Sequence, residues 1–209
     1  MNNLPIIKSG VLVCIICEGP EEYDYLNTIK ALGVWDEGYR VDLVNAEGNG
    51  NLPARYQDKY QNGLYDVVLV ICDTDKKPFE QYQDIKRKID AFHGRAGVAD
   101  LIIMYGNPCT MQIVVQHWGE VSLRSPSKHS NAAIIEELTG IKQYDAHSDQ
   151  REEMMQMINI ETYRLMMERV EKMSSEDAIV GSSNFNVFMS YLAKDNYEWI
   201  KEINKIIEE

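Results

Sequence analysis

The run from Val67 through Val, Leu, Val, Ile and Cys to Asp73, Thr74 and Asp75 constrains this chain more than any other. Its apolar, valine-rich residues read as a strand buried on both faces, the kind found inside parallel sheets. Asp73 and Asp75 are two apart, and side chains at that spacing on an extended chain point the same way. Both carboxylates can therefore reach one divalent cation beyond the strand's end. Val11 to Cys17 is a second apolar strand, followed at once by Glu18 and Gly19. If the two strands are parallel neighbours, Glu18, Asp73 and Asp75 share the sheet edge at which open α/β folds bind ligands.

Strand and helix signals alternate through the first half of the chain. Glu21 to Leu32 reads as a helix with acids in its first turn and Gly33 at its end. Tyr39 to Ala46 is a second strand, and Pro53 to Asn62 a short helix closed by Asn62 and Gly63. The aspartate strand is third, followed by a helix over Pro78 to Phe92 that opens on proline. Asp100 to Tyr105 reads as a fourth strand, and Thr110 to Trp118 as the start of another helix. This β-α-β-α-β-α-β order predicts an α/β fold with a mostly parallel four-stranded sheet flanked by helices.

From about residue 119 the alternation stops. Ala132 to Leu138, Gln150 to Met173, Ser183 to Lys194 and Tyr197 to Ile207 all read as helical. The chain thus divides into an α/β core over residues 1–120 and a helical extension over 121–209 packed on it. Met154, Met155, Met157, Met166 and Met167 make the longest predicted helix methionine-rich, which suits adaptable core packing.

Composition bounds the function. The net charge of −12 over 209 residues works against nucleic-acid binding, which needs concentrated Lys and Arg. Lys76 and Lys77 beside the aspartates, Lys86-Arg87-Lys88, and Arg124 with Lys128 are the candidate cationic patches, each of which also reads as an ordinary solvated face. The four cysteines, Cys14, Cys17, Cys72 and Cys109, suit buried reduced thiols, and Cys14 and Cys17 have no second pair to complete a zinc site. No apolar run approaches the roughly 18 residues of a membrane span, and the N-terminus lacks a signal-peptide layout. A cytoplasmic protein without a membrane partner is the expectation.

The acids suit Mg²⁺ or Mn²⁺, which take oxygen ligands and serve phosphoryl chemistry. In that reading Asp73 and Asp75 hold metal, and Glu18 holds it as well or moves protons. The alternative is that the aspartates only cap the following loop. Glu47-Gly48-Asn49-Gly50-Asn51 can present backbone N–H groups to an anion or simply form a left-handed turn. Gly106-Asn107-Pro108-Cys109 would lie at the same sheet edge, with Asn107 available to substrate. His117 is either a proton carrier there or a histidine packed beside Trp118.

These motifs together resemble the RloB-like family within the broader set of Toprim-like domains. The resemblance rests on Ile16-Cys17-Glu18-Gly19-Pro20-Glu21-Glu22-Tyr23, on Asp73-Thr74-Asp75, and on Asn107-Pro108-Cys109 with His117. Glu18, Gly19 and Glu22 match the family's Glu-Gly-x-x-Glu, and Ser183-Asn184-Phe185-Asn186-Val187 is similar to its late Asn-containing helix start. The family usually has phenylalanine and glutamate after Asn-Pro-Cys, where this chain has Thr110 and Met111, so a fourth acid is missing. The resemblance implies a Mg²⁺-dependent nuclease in phage defence, acting on DNA or RNA phosphodiesters, with Glu18, Asp73 and Asp75 as catalytic and metal residues. Lys76, Lys77 and Asn107 would meet substrate, and the helical half would form a lid, a homodimer surface or a dock for an ATPase partner.

Two rivals remain. A non-catalytic Toprim-like scaffold, docking to an ATPase or sensing a nucleotide, fits the acidic charge. A haloacid-dehalogenase-like phosphatase also uses Asp-x-Asp after a strand, but Lys77 stands where its chemistry needs threonine, and its aspartates normally follow the first strand rather than the third.

Overall fold

Valine- and isoleucine-rich segments form the centre of the molecule, as their lack of polar alternation requires. The computed structural model describes residues 10–74 and 80–209. Four strands, β1 (Val11–Cys17), β2 (Tyr39–Asn45), β3 (Val67–Asp73) and β4 (Ile103–Gly106), form one sheet in the order β2-β1-β3-β4. Every pairing is parallel, with Cys17 opposite Ile71 and Asp73 opposite Gly106. Residues 13–17 of β1 are fully buried.

The connections explain how the two faces are covered. Helix α1 (Pro20–Ala31) links β1 to β2 on one side. The chain then jumps back over β1, so α2 (Leu52–Gln61) lies on the opposite face, a consequence of right-handed crossovers. It packs there on α3 (Glu80–His93), which packs in turn on α4 (Val98–Ile102). The reversal falls between β1 and β3, the point at which doubly wound sheets open a crevice beyond their C-terminal ends.

The predicted fourth strand begins later than its sequence suggests. Residues 98–102 are helical because Asp90, at the end of α3, accepts the N–H groups of Gly97 and Ala99 at 3.0 and 2.8 Å. Those bonds satisfy donors at the start of α4 from outside the helix. Gly97, with φ of 89°, makes the turn before it. The helix expected over Thr110 to Trp118 is a single α-turn, α5 (Met111–Val114), tightened into a 3₁₀ turn over Val115–His117.

Five more helices follow: α6 (Lys128–Thr139), α7 (Ser148–Gln156), α8 (Ile160–Val170), α9 (Phe185–Leu192) and α10 (Glu198–Glu208). The expected single helix over Gln150 to Met173 is two. Asn159 starts the second by accepting the N–H groups of Glu161 and Thr162 at 3.0 and 3.1 Å, an N-cap that ends the first. Met154 and Met166 are fully buried, one in each helix. A single hydrophobic cluster runs from Val13 to Ile207, so the helical half shares the core of the sheet. Its seams are aromatic: Tyr25 of α1 packs on Phe185 of α9, and Trp199 of α10 donates its indole N–H to the Tyr39 hydroxyl at 2.8 Å.

The outer rim of β4 is closed by the segment before α9. Asn184 accepts the Tyr105 N–H at 2.9 Å and donates to the Ile103 carbonyl at 2.8 Å. Gly106 pairs with Ser183 in an isolated antiparallel bridge. No helix of the described residues is long and apolar enough to cross a membrane.

Candidate functional site

Because β1 and β3 are neighbours, Glu18 and Asp73 emerge side by side. The Glu18 N–H continues the ladder by donating to the Ile71 carbonyl at 3.0 Å. Its side chain then reaches across the strands, where Oε2 accepts the Asp73 N–H at 3.0 Å. Asp73 Oδ1 in turn accepts the Thr110 N–H at 2.7 Å, tying the turn after β4 to the same edge. Each carboxylate thus accepts a backbone N–H. Asp75, Lys76 and Lys77 lie outside the described residues.

Glu22 joins these acids. Gly19 caps α1 and Pro20 occupies its first turn, which places Glu22 one turn in, where its Oε2 accepts the Gly19 N–H at 2.9 Å. This is half of a capping box, with the returning carboxylate turned toward Glu18 and Asp73 rather than out to water. Glu22 is 5 % exposed. Burial, followed by the charges of Asp73, Glu18 and Glu21, pushes its pKa well above the ordinary carboxylate range. The Glu-Gly-x-x-Glu spacing carried the signal for this residue, but only the helix start after Gly19 brings it to the strand ends.

The acids open onto a cavity of about 560 Å³. Glu18, Glu21, Glu22, Glu47 and Asp73 line it on the sheet side, and Lys128, Asn131, Tyr144 and Arg151 line it from the helical half. The two halves meet through Glu21, which takes Lys128 Nζ at 2.5 Å and the Tyr144 hydroxyl at 3.1 Å. Arg151 bonds Asp24 through Nε at 2.8 Å. The Thr74 and Thr110 hydroxyls, one on the residue after Asp73 and one on the residue bonded to it, are buried with no hydrogen-bond partner among the described residues.

The other sequence candidates lie elsewhere or serve the scaffold. Asn107 is buried and donates Nδ2 to the Asp177 carbonyl at 2.7 Å, while its N–H meets Ser182; it is not among the residues lining the cavity. His117 is held between the Tyr25 hydroxyl and Thr162 Oγ1, each at 3.1 Å, and stacks at a tilt on Trp118. Burial and then Arg169 push its pKa down to about 3, so it is a neutral core histidine. In the 47–51 loop, Glu47 and Gly48 have positive φ, and the Gly48 N–H goes to the Glu18 carbonyl at 2.8 Å, fixing the loop to β1. Lys86 is largely buried and taken by Asp100 and Asp177, while Arg87 and Lys88 pair with Asp84 on the solvated helix face. The four cysteines are buried free thiols.

The donor set can be weighed against a divalent cation. Among the described residues, no three His, Cys, Asp or Glu side chains form a group able to hold a metal ion by themselves. That excludes a closed zinc-type cage built from these residues. Mg²⁺ makes a smaller demand, since it keeps several waters and is bound through one or two carboxylates with substrate phosphates. The crowding that raises Glu22, together with the cross-strand pair Glu18 and Asp73, fits such an ion. No family model matches the chain, and neither a curated protein nor a solved structure matches it.

Proposed function

We propose that this protein is a Mg²⁺-dependent nuclease or phosphotransfer enzyme of Toprim-like type, acting on phosphodiesters at the C-terminal edge of its sheet. The observation that carries the reading is the Asp73 N–H bonded to Glu18 Oε2 at 3.0 Å, at a topological switch point that opens onto a cavity. A divalent cation bound there supplies a Lewis acid that polarises a phosphoryl oxygen and lowers the pKa of an attacking water. Glu18 and Asp73, with Asp75, provide the oxygen ligands. Glu22, its pKa raised by burial and by the neighbouring carboxylates, lies at the edge of the reacting space, which suits a general acid or base. The resemblance to RloB-like proteins adds phage defence and an ATPase partner to the same reading.

Binding of Mn²⁺, followed by its paramagnetic resonance in wild type and Asp73→Asn, tests this directly, with cleavage of single-stranded DNA and RNA measured in parallel. Metal binding and cleavage lost together in the variant are the expected result. A folded wild type that binds no Mn²⁺ defeats the metal reading. One observation favours the second reading, a non-catalytic scaffold that docks to an ATPase: no three-ligand group is present among the described residues. That protein would bind its partner equally well with Asp73→Asn.

A further inference from the structure

The cavity wall opposite the acids differs from them in kind, and that contrast bears on what enters. We infer that the cavity takes one nucleotide-sized phosphate ester, its phosphate between the acidic sheet edge and Lys128 and its apolar body against Ile135, Met111 and Pro126. The inference rests on the proposed metal reading and names the substrate class of that same site.

Three observations carry it. The cavity's volume, about 560 Å³, falls inside the roughly 300–1,000 Å³ of small-molecule sites. Its lining is divided: carboxylates on the sheet side, the Lys128 and Arg151 cations on the helical side, and apolar side chains alongside them. A phosphate set between a cation held at the first wall and the ammonium of the second would be neutralised from both sides. Third, the Thr110 side chain is 2 % exposed, its hydroxyl has no partner among the described residues, and the residue lines the cavity beside Asp73. A buried hydroxyl is ordinarily hydrogen-bonded, so a polar ligand atom at this wall answers a specific need.

The same features favour one phosphate ester over a long strand as the tighter ligand. A polymer gains affinity by having several phosphates neutralised in sequence. Among the described residues, two cations and five carboxylates line the cavity, within a chain of net charge −12. Among the described residues, the cations suit one phosphate better than a continuous backbone track. Lys128 is well placed to exchange partners, since its side chain is 40 % exposed and Glu21 keeps the Tyr144 hydroxyl when the ammonium turns to a ligand.

The test is calorimetric titration of the full-length protein with a nucleoside 5′-monophosphate in Mg²⁺, compared with a twelve-nucleotide single strand. Wild type should bind the mononucleotide at least as tightly as the twelve-mer. Lys128→Gln should weaken mononucleotide binding about tenfold or more, the worth of one charge-assisted hydrogen bond, and Lys128→Arg should restore part of it. Mn²⁺ affinity should be unchanged in Lys128→Gln, which separates the phosphate wall from the metal wall. A protein that binds Mn²⁺ but no mononucleotide overturns the inference and leaves the metal reading standing. Much tighter binding of the twelve-mer, or a Lys128→Gln protein with full mononucleotide affinity, also overturns it. If wild type binds no Mn²⁺, the metal reading fails, and titration in EDTA decides the rest: binding that depends on Lys128 upholds the phosphate wall, and no binding removes it.

Discussion

Glu18 and Asp73 are joined across two parallel strands, with the side chain of the first accepting the backbone N–H of the second at 3.0 Å. Asp73 therefore contributes to the site twice, through its peptide and through its carboxylate, and the two contributions can be separated. Asp73→Asn keeps the peptide N–H for Glu18 and an amide oxygen for the Thr110 N–H. The melting temperature should change little, while Mn²⁺ affinity falls by more than about tenfold, the smallest loss seen even for outer partners of metal sites. Equal Mn²⁺ affinity in the two proteins would remove Asp73 from the metal-binding residues.

Glu22 should oppose folding at neutral pH. Its folded-state pKa is raised, so the unfolded chain releases this proton first as pH rises, and stability is lost above the ordinary carboxylate range. Glu22→Gln retains an oxygen for the Gly19 N–H without the charge. In EDTA at pH 7 the variant should melt about 2–4 °C higher, the shift that 1 kcal/mol makes in a chain of this size. At pH 4 the gain should vanish. A variant equally stabilised at both pH values would show that charge is not the cause.

His117 acts in the opposite direction. Its folded-state pKa, about 3, lies below the ordinary 6.5, so the unfolded chain takes up a proton that the folded one refuses. Stability should fall as pH drops below 6.5, by up to about 1.4 kcal/mol per unit from this group. His117→Gln can still bond Tyr25 and cannot titrate. Urea unfolding at several pH values between 7 and 4 should show a shallower acid slope in the variant, and parallel slopes would refute the assignment.

Gly106 guards the site from the next strand. A Cβ at this position would stand 2.6 Å from the Cys109 carbonyl oxygen, a backbone atom of the turn that presents the Thr110 N–H to Asp73. Gly106→Ala should cost about 1–3 kcal/mol, the usual range for overpacking, and should lower Mn²⁺ affinity with no acid removed. Unchanged Mn²⁺ affinity in a destabilised variant would mean that the turn does not position Asp73.

Asn184→Ala should destabilise the fold by about 1–3 kcal/mol, because the Tyr105 N–H and Ile103 carbonyl lose their side-chain partner together. Amide hydrogen exchange should quicken first at Tyr105. Unchanged protection there would assign the stability of β4 to its pairing with β3 alone.

The strands were legible because buried parallel strands declare themselves as unbroken apolar runs, with Glu18 and Asp73 at their ends. The pairing of β1 with β3 that brings the two acids together comes from the structure. Glu22 was legible only as a motif partner, since its direction depends on where α1 begins after Gly19. The beginning of β4 was hidden because Asp90, seven residues before Gly97, caps a helix that local preference alone does not reveal. The break at Asn159 follows a capping rule, yet the methionine periodicity on both sides masked it. Lys128 stood out only as part of a candidate cationic patch with Arg124, and Tyr144 and Arg151 carried no signal as site residues. They reach the cavity through ion pairs and hydrogen bonds to α1 more than 100 residues earlier, and no spacing in the sequence encodes that closure.

The side chain of Asn184 meets the β4 backbone as a peptide group of an adjoining strand would, offering one acceptor and one donor. With Ser183 bridged to Gly106, the protein has supplied its own substitute for a fifth strand. A second copy or a partner cannot dock there by lending a strand of its own unless this segment first lets go. Recognition along that flank is left to side chains, and the flank cannot serve as a template for chain-to-chain stacking.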